Sequence, residues 1–125
     1  MNIIQTAISL NVPDVHASAE FAKSHFGFRE AMAADGFVSL EHPTAETHII
    51  FLATGLGTFR PAEIAGSAGQ GLLVVFVVDD LDAEYERISL SGARVVTEPE
   101  TEPWGERYCQ FADPNGIVWQ LVQWV

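Results

Sequence analysis

The feature that most constrains the fold of this chain is an internal repeat with a period of about 70 residues. Residues 12–15 (Val-Pro-Asp-Val) match residues 78–81 (Val-Asp-Asp-Leu), and residues 37–43 (FVSLEHP) match residues 108–114 (YCQFADP). Each repeat contains one helical pattern followed by three short strand patterns, after a first strand. A single unit of this kind leaves one face of its sheet bare, so two units have to pair to cover it. The repeat therefore predicts an α+β fold in which two βαβββ modules form a curved mixed sheet around a cavity.

Capping signals place one helix in each module. Asp14 and Asp80 are predicted N-caps of helices over residues 15–25 and 81–90, because a side-chain carboxylate can accept from the first free backbone N–H groups. Gly27 and Gly92 are predicted to end them. The predicted strands cover residues 3–12, 28–32, 36–41 and 47–53 in the first module, and 72–78, 94–97, 107–112 and 117–124 in the second. The modules then span residues 1–53 and 72–125, and a Gly-rich connector over residues 54–71 carries one short helical turn near residues 61–64.

The last hairpin carries the strongest family signal. Pro114 and Gly116 favour a tight turn between its two strands, and Pro103-Trp104-Gly105-x-Arg107 marks the entry into the first of them. These motifs and the repeat resemble the vicinal-oxygen-chelate superfamily, which holds glyoxalase I, extradiol dioxygenases and bleomycin-type resistance proteins. The resemblance covers nearly the whole chain and implies the paired-module fold. It leaves the function open, because one scaffold hosts several chemistries.

The resemblance also implies where a metal would be held. Metal-dependent members take one ligand from each of four strands, and those places correspond here to Ala7, Ile49, Leu73 and Gln120. Three of these side chains have no donor atom, and an amide oxygen is a poor sole ligand for a divalent metal. A shift of one residue would bring His48 into one place, but one imidazole does not build a site. We therefore expect no metal or other cofactor, and neither metal-dependent glyoxalase nor dioxygenase activity.

Aromatic side chains are candidates for the wall of the cavity. If Gln120 points into the cavity, the alternation of a strand points Trp124 inward and Trp119 outward towards the helices. Cys109 is interpreted as a small buried residue, and ordinary core packing remains the alternative for each aromatic candidate. The candidate ligand-binding residues are Trp104, Trp124, Gln120, Phe37, Phe51, Phe59, His48 and Glu106; no catalytic residue is assigned.

The net charge of −11, from 17 acidic and 6 basic residues, argues against nucleic acid and anionic membranes as partners. It favours cationic ligands, although solubility alone can account for it. Four glutamates at positions 98, 100, 102 and 106 are interpreted as a loop that either is simply solvated or rings the cavity mouth. No apolar run is long enough for a transmembrane helix, no targeting segment is recognised and the single cysteine forms no internal disulfide, so a cytoplasmic protein is expected.

Three functional hypotheses follow. The first is a metal-independent binding protein that sequesters a planar aromatic or cationic small molecule, as the resemblance to bleomycin- and mitomycin-type resistance proteins implies. The second is a metal-free enzyme of isomerase or lyase type, with His48 or a glutamate as base. The third is an interaction or regulatory module with a vestigial cavity. Relatives often complete the cavity by pairing chains, so we also expect a homodimer.

Overall fold

A computed structural model describes residues 1–57 and 61–125 of the chain. It divides into two compact units, Met1–Ala68 and Gly69–Val125. Each unit holds one four-stranded mixed sheet and one α-helix, in the order strand, helix, three strands. The α+β fold built from two βαβββ modules is thus confirmed, and the unit boundary falls within the connector predicted over residues 54–71.

The first unit contains the strands β1 (Ala7–Val12), β2 (Arg29–Ala34), β3 (Phe37–Glu41) and β4 (His48–Ala53), the helix α1 (Val15–Phe26), and a short 3-10 helix (Ala62–Ala65). The strand order is β1-β4-β3-β2, with β1 parallel to β4 and the other pairs antiparallel. At the start of α1, Asp14 accepts a hydrogen bond from the backbone N–H of Ala17, and at its end Gly27 adopts a φ of 77°. Both ends of this helix were predicted to within one residue.

The second unit repeats this plan with the strands β5 (Val74–Val77), β6 (Arg94–Thr101), β7 (Glu106–Ala112) and β8 (Val118–Trp124), and the helix α2 (Leu81–Leu90). The strand order is β5-β8-β7-β6, with β5 parallel to β8. Asp80 caps α2 by accepting from the backbone N–H of Ala83. In the described ranges 1–57 and 61–125, no helix is long and apolar enough to cross a membrane.

Two predicted strand boundaries were wrong by more than two residues. The strand β1 begins at Ala7 rather than at residue 3, because its partner β4 begins only at His48 and offers no earlier residue for pairing. The strand β6 continues to Thr101, four residues further than predicted, although it contains Pro99. Proline is tolerated there because β6 is an edge strand whose pairing with β7 shifts register between Thr97 and Glu100.

Each sheet has one face towards its own helix and one face away from it, which we call the helix-distant face. In the second unit, the helix-facing side is marked by Phe111, which stacks on Tyr85 of α2 with ring centroids 5.8 Å apart. Alternation along β8 then places Trp119 on the helix-facing side and Gln120 on the helix-distant face. In the first unit, Leu40 and Phe51 are fully buried towards α1.

Candidate ligand-binding site

Three polar side chains are linked by two consecutive hydrogen bonds across the helix-distant face of the second sheet. The hydroxyl of Thr97 on β6 donates to Gln110 Oε1 on β7 at 2.7 Å. Gln110 Nε2 in turn donates to Gln120 Oε1 on β8 at 2.8 Å. We call Thr97, Gln110 and Gln120 the amide ladder. Gln120 is only 8% exposed, so this glutamine is held in place by its neighbours rather than moving in solvent.

Apolar and aromatic side chains lie on both sides of the amide ladder. Val75 is the direct neighbour of Gln120 on the edge strand β5, and Val77 is the next residue of β5 on the same face; both are exposed. Further along β8 come Val122 and then Trp124, which is 60% exposed. A buried amide next to exposed apolar surface is the composition of a small-molecule site, in which a few polar groups orient a largely apolar ligand.

Acidic side chains lie at one end of this face. Glu106 is paired directly with Trp124, and Tyr108 is paired with Val122. The Tyr108 hydroxyl donates to Glu100 on β6 at 3.1 Å. This hydrogen bond, together with desolvation, raises the pKa of Tyr108 above its usual value, so the phenol stays protonated. The interpretation of the four glutamates as a loop was wrong for three of them, since positions 98 and 100 lie on the extended β6 and position 106 begins β7.

Trp104 lies at the tip of the turn between β6 and β7 and is 68% exposed. The turn is held by the end of the chain, because the backbone N–H of Val125 donates to Gly105 O at 2.9 Å. Gly105 has a φ of 86°, and a Cβ at this position would lie 2.8 Å from Val125 O. Glycine is therefore required for the turn that presents Trp104.

The candidates of the first unit lie in different places. Phe37 is half-buried on the helix-distant face of its own sheet, whereas Phe51 is fully buried on the helix-facing side. Phe51 therefore packs in the core of its unit, and we do not include it in the site proposed below. Phe59 lies outside the described residues.

His48 begins β4 directly opposite Ala7, on the helix-distant face. Its Nδ1 lies 2.6 Å from Gln5 Nε2, and because an amide nitrogen only donates, Nδ1 is the acceptor. In the neutral imidazole the proton is then on Nε2. A surface cleft of about 430 Å³ adjoins this residue. It is lined by Ile3, Ile4, Gln5, Thr6, Glu46 and His48.

The strand register corrects one assignment made from the repeat. In the second unit Gln120 is paired with Val75, and the equivalent parallel pair of the first unit is Ser9 with Ile50. The first-unit counterpart of Gln120 is thus Ile50, not Ile49, which faces the helix. Ile50 has no donor atom either. Within residues 1–57 and 61–125, no three His, Cys, Asp or Glu side chains are grouped so that they could hold a metal ion.

Arg107 is paired with an acidic side chain of the helix α2. Its guanidinium donates to both carboxylate oxygens of Asp82 on α2, at 2.7 and 2.9 Å. A third hydrogen bond, of 3.0 Å, reaches Thr101. The pair ties α2 to β7 on the helix-facing side, so Arg107 stabilises the fold and is not available to a ligand on the opposite face.

Sequence reasoning missed three residues of this face, namely Thr97, Gln110 and Tyr108. The alternation of β7 and its hairpin with β8 contain enough information to align Gln110 with Gln120. Thr97 could not have been found in this way, because the register shift beside it breaks the simple count from β7 to β6.

Two mixed sheets, each with a helix against one face and a partly apolar face opposite, define an α+β architecture of two repeated βαβββ modules. The model of the Glyoxalase/Bleomycin resistance protein/Dioxygenase superfamily matches residues 3–121 of the chain. The chain belongs to this superfamily.

Relatives of several kinds share parts of the sequence or the fold. The uncharacterized protein Rv0887c of Mycobacterium tuberculosis is 42% identical over 55 residues, which cover 44% of this chain and 32% of that protein. This match therefore spans about a third of that relative's length. TnmS3, an antibiotic binding protein from Streptomyces sp. CB03234, superposes with a TM-score of 0.76 at 24% identity, over 100% of this chain and 99% of that one. A lactoylglutathione lyase from Agrobacterium tumefaciens gives a TM-score of 0.76 at 18% identity, over 98% and 94% of the chains. At these identities the superpositions show a common fold, and the fold serves both binding proteins and enzymes.

Proposed function

We propose that this chain is a small-molecule-binding protein that holds a flat aromatic ligand against the helix-distant face of its second sheet, without a metal. The observation that carries the proposal is the amide ladder, whose buried Gln120 lies between exposed valines of β5 and the exposed Trp124. A fixed amide can orient a ligand by one or two hydrogen bonds while the apolar side chains supply contact area. The antibiotic binding protein TnmS3, which shares the fold, supports a binding role.

The proposed ligand is held by stacking on Trp124, with Trp104 as a second aromatic candidate. Glu106 is paired with Trp124, so a cationic group on the ligand would find a carboxylate next to the aromatic ring. The net charge of −11 would raise the local concentration of such cations. A planar ring system with a cationic arm therefore fits this face best.

A fluorescence titration tests this proposal. Planar cationic aromatics should quench tryptophan emission and raise the melting temperature, and Trp124→Ala should weaken binding by about 1 kcal/mol through lost stacking. The matched control is Leu90→Ala, which truncates an exposed apolar side chain that lies on α2, away from Trp124 on β8. This variant should leave the affinity unchanged. Rising salt should slow association more than dissociation. Equal affinity of the Trp124→Ala variant and the wild type would refute the stacking part of the proposal, and tight binding of an anionic ligand at low salt would refute the electrostatic part.

Metal independence is part of the proposal and rests on the side chains available. The places that correspond to metal ligands hold Ala7, Leu73, Gln120 and Ile50, and of these only the glutamine offers a donor atom. The purified protein should bind its ligand equally well after dialysis against a chelator. A stoichiometric Zn, Ni or Fe ion that survives dialysis would refute this part of the proposal.

We also propose that the chain acts in the cytoplasm as a homodimer that completes two equivalent sites. Its support is the exposed apolar surface of β5, where Leu73, Val75 and Val77 all reach solvent in the single chain. Sedimentation at micromolar concentration should give the mass of two chains. A monomer under these conditions would contradict the dimer while leaving the binding site of each chain to be tested separately.

An enzymatic role has a precedent in the lactoylglutathione lyase that shares the fold, but the surroundings of His48 weigh against a metal-free enzyme with this residue as base. Its Nδ1 already accepts from Gln5, so this nitrogen can accept a substrate proton only if Gln5 moves away. If turnover is found, Gln5→Leu should raise its rate and His48→Gln should abolish it.

A further inference from the structure

The amide ladder has a direction, and the direction decides what Gln120 offers to a ligand. The hydroxyl proton of Thr97 goes to Gln110 Oε1, which leaves the Gln110 amide nitrogen as the group that faces Gln120. That nitrogen donates to Gln120 Oε1. Gln120 Oε1 is thus already engaged through one of its two lone pairs, whereas its Nε2 group still has two N–H donors to offer.

No protein partner for Gln120 Nε2 is found among residues 1–57 and 61–125. The same part of the chain contains no fully buried polar side-chain atom that lacks a partner, so this nitrogen retains access to solvent even though its residue is 8% exposed. A bound ligand that covers the face would remove that solvent. The N–H groups would then need an acceptor on the ligand, because a buried donor without one costs free energy.

We infer that Gln120 is a specificity-determining residue that selects planar ligands carrying a carbonyl oxygen at the ring edge, and that Thr97 is the positioning residue that sets its orientation. This inference rests on the function proposed above and names the ligand class more narrowly. Ligands whose ring edge only donates hydrogen bonds would meet the Gln120 N–H groups donor to donor and would be disfavoured. Thr97 acts through Gln110 and does not touch the ligand.

Three matched tricyclic probes test the inference: the aminomethyl derivatives of fluorenone, fluorene and carbazole. They share their shape and their cationic arm, but the bridging group accepts a hydrogen bond in fluorenone, makes none in fluorene and only donates in carbazole. The wild type should bind the fluorenone about 3- to 10-fold more tightly than the fluorene, as expected for one net hydrogen bond, and the carbazole no more tightly than the fluorene. Isothermal titration calorimetry gives the three dissociation constants.

Variants distinguish the effect of the hydrogen-bond direction on ligand preference from the effect of general packing on affinity. In Gln120→Leu the fluorenone preference should disappear, whereas Gln70→Leu, an exposed glutamine in the connector, should retain it. In Thr97→Val the hydroxyl donor is lost, so the side-chain amide groups of Gln110 and Gln120 can both rotate by 180°. The difference in affinity between fluorenone and carbazole should then shrink, and Thr97→Ser should restore it. If Gln120→Leu does not fold, the Thr97→Val and Thr97→Ser pair carries the test.

The possible failures are distinguishable. Equal affinity for all three probes would overturn the role of Gln120 and leave the proposed binding function standing. Gln120-dependent preference for the carbazole would show that the ladder runs in the opposite direction and would also overturn the inference. Binding of none of the probes would overturn the proposed function for flat aromatic cations, and the inference with it.

Discussion

Replacing Asp113 with asparagine should destabilise the second unit even though the two side chains have the same shape. Asp113 lies in the turn between β7 and β8 and is almost completely buried. Its Oδ1 accepts from the backbone N–H groups of Asn115 and Ile117, at 2.9 and 3.0 Å. Its Oδ2 accepts from the indole N–H of Trp119 at 3.2 Å. One carboxylate thus holds the turn and the largest buried side chain of the unit together.

The magnitude follows from these contacts. In the Asp113→Asn variant the new side chain can keep its oxygen on the two backbone donors, but its NH₂ group then faces the indole N–H of Trp119. One hydrogen bond to a charged acceptor is lost and two buried N–H donors face each other, so the free energy of unfolding should fall by about 2 to 3 kcal/mol. Asp113→Ala removes all three acceptor contacts and should cost about 3 to 5 kcal/mol. Either loss is a large fraction of the roughly 5 to 15 kcal/mol that stabilises a domain.

Urea denaturation followed by circular dichroism measures these differences without relying on the fluorescence of Trp119. The control is Asp80→Asn, because Asp80 caps α2 from an exposed position and asparagine caps a helix equally well. The double variant Asp113→Asn with Trp119→Phe should be less destabilised than the sum of the single variants, because the opposed donor is gone. A change below about 0.5 kcal/mol in Asp113→Asn, or strict additivity of the pair, would refute this reasoning.

Three further predictions concern a buried thiol, a surface ion pair and a strained glycine. Cys109 is fully buried and burial raises the pKa of its thiol to about 11, so at pH 8 a thiol reagent should modify it only after denaturant is added. The hydrogen bonds from Arg107 lower the pKa of Asp82, so this carboxylate stabilises the fold above its usual pKa. That contribution is lost as the pH falls through the lowered value, so the difference in urea midpoint between wild type and Asp82→Asn should begin to shrink below about pH 4 and should disappear only below the lowered pKa. Gly105→Ala should cost more than about 1 kcal/mol, because the left-handed backbone is strained for alanine and its Cβ would meet Val125 O.

Each of these three predictions can be contradicted by one result. Rapid labelling of the native thiol would mean that Cys109 is accessible. A pH-independent difference for Asp82→Asn would mean that the ion pair does not contribute. For the glycine, the control is Gly57→Ala, where an added Cβ meets nothing within 4 Å, and equal stability of the two alanine variants would contradict the steric argument.

Local sequence signals were sufficient for the elements of the fold. Asp14 and Asp80 each accept the capping hydrogen bond expected of them, and Gly27 ends α1 with the positive φ expected of it. These outcomes depend on atoms within a few residues of each other, so local sequence patterns contain the necessary information. The internal repeat added the number and order of the strands in each unit.

The side of the sheet on which a residue lies was harder to predict in the first unit. The run His48-Ile-Ile-Phe51 has apolar residues at consecutive positions, so alternation alone does not say which of them face the helix. Pairing with β1 decides it, since Ala7 lies opposite His48 and Leu10 lies opposite Phe51. The one-residue error in the counterpart of Gln120 has a different source, because Leu40 is paired with Ile49, nine residues on, whereas its equivalent Phe111 is paired with Trp119, eight residues on. Counting along the repeat therefore falls one residue short.

The sequence by itself determined the two βαβββ units, their helix caps and the position of Gln120 on the last strand, because each depends on short-range patterns. Only the tertiary structure decided that Gln120 is joined through Gln110 to Thr97, and that Arg107 binds Asp82 across 25 positions of the chain. Such contacts depend on strand register and on one irregularity near Pro99, and both are settled by backbone pairing between segments that are distant in sequence. For this reason the sequence predicted some of the residues of the candidate site, but it could not predict the direction of the hydrogen bonds from Thr97 through Gln110 to Gln120.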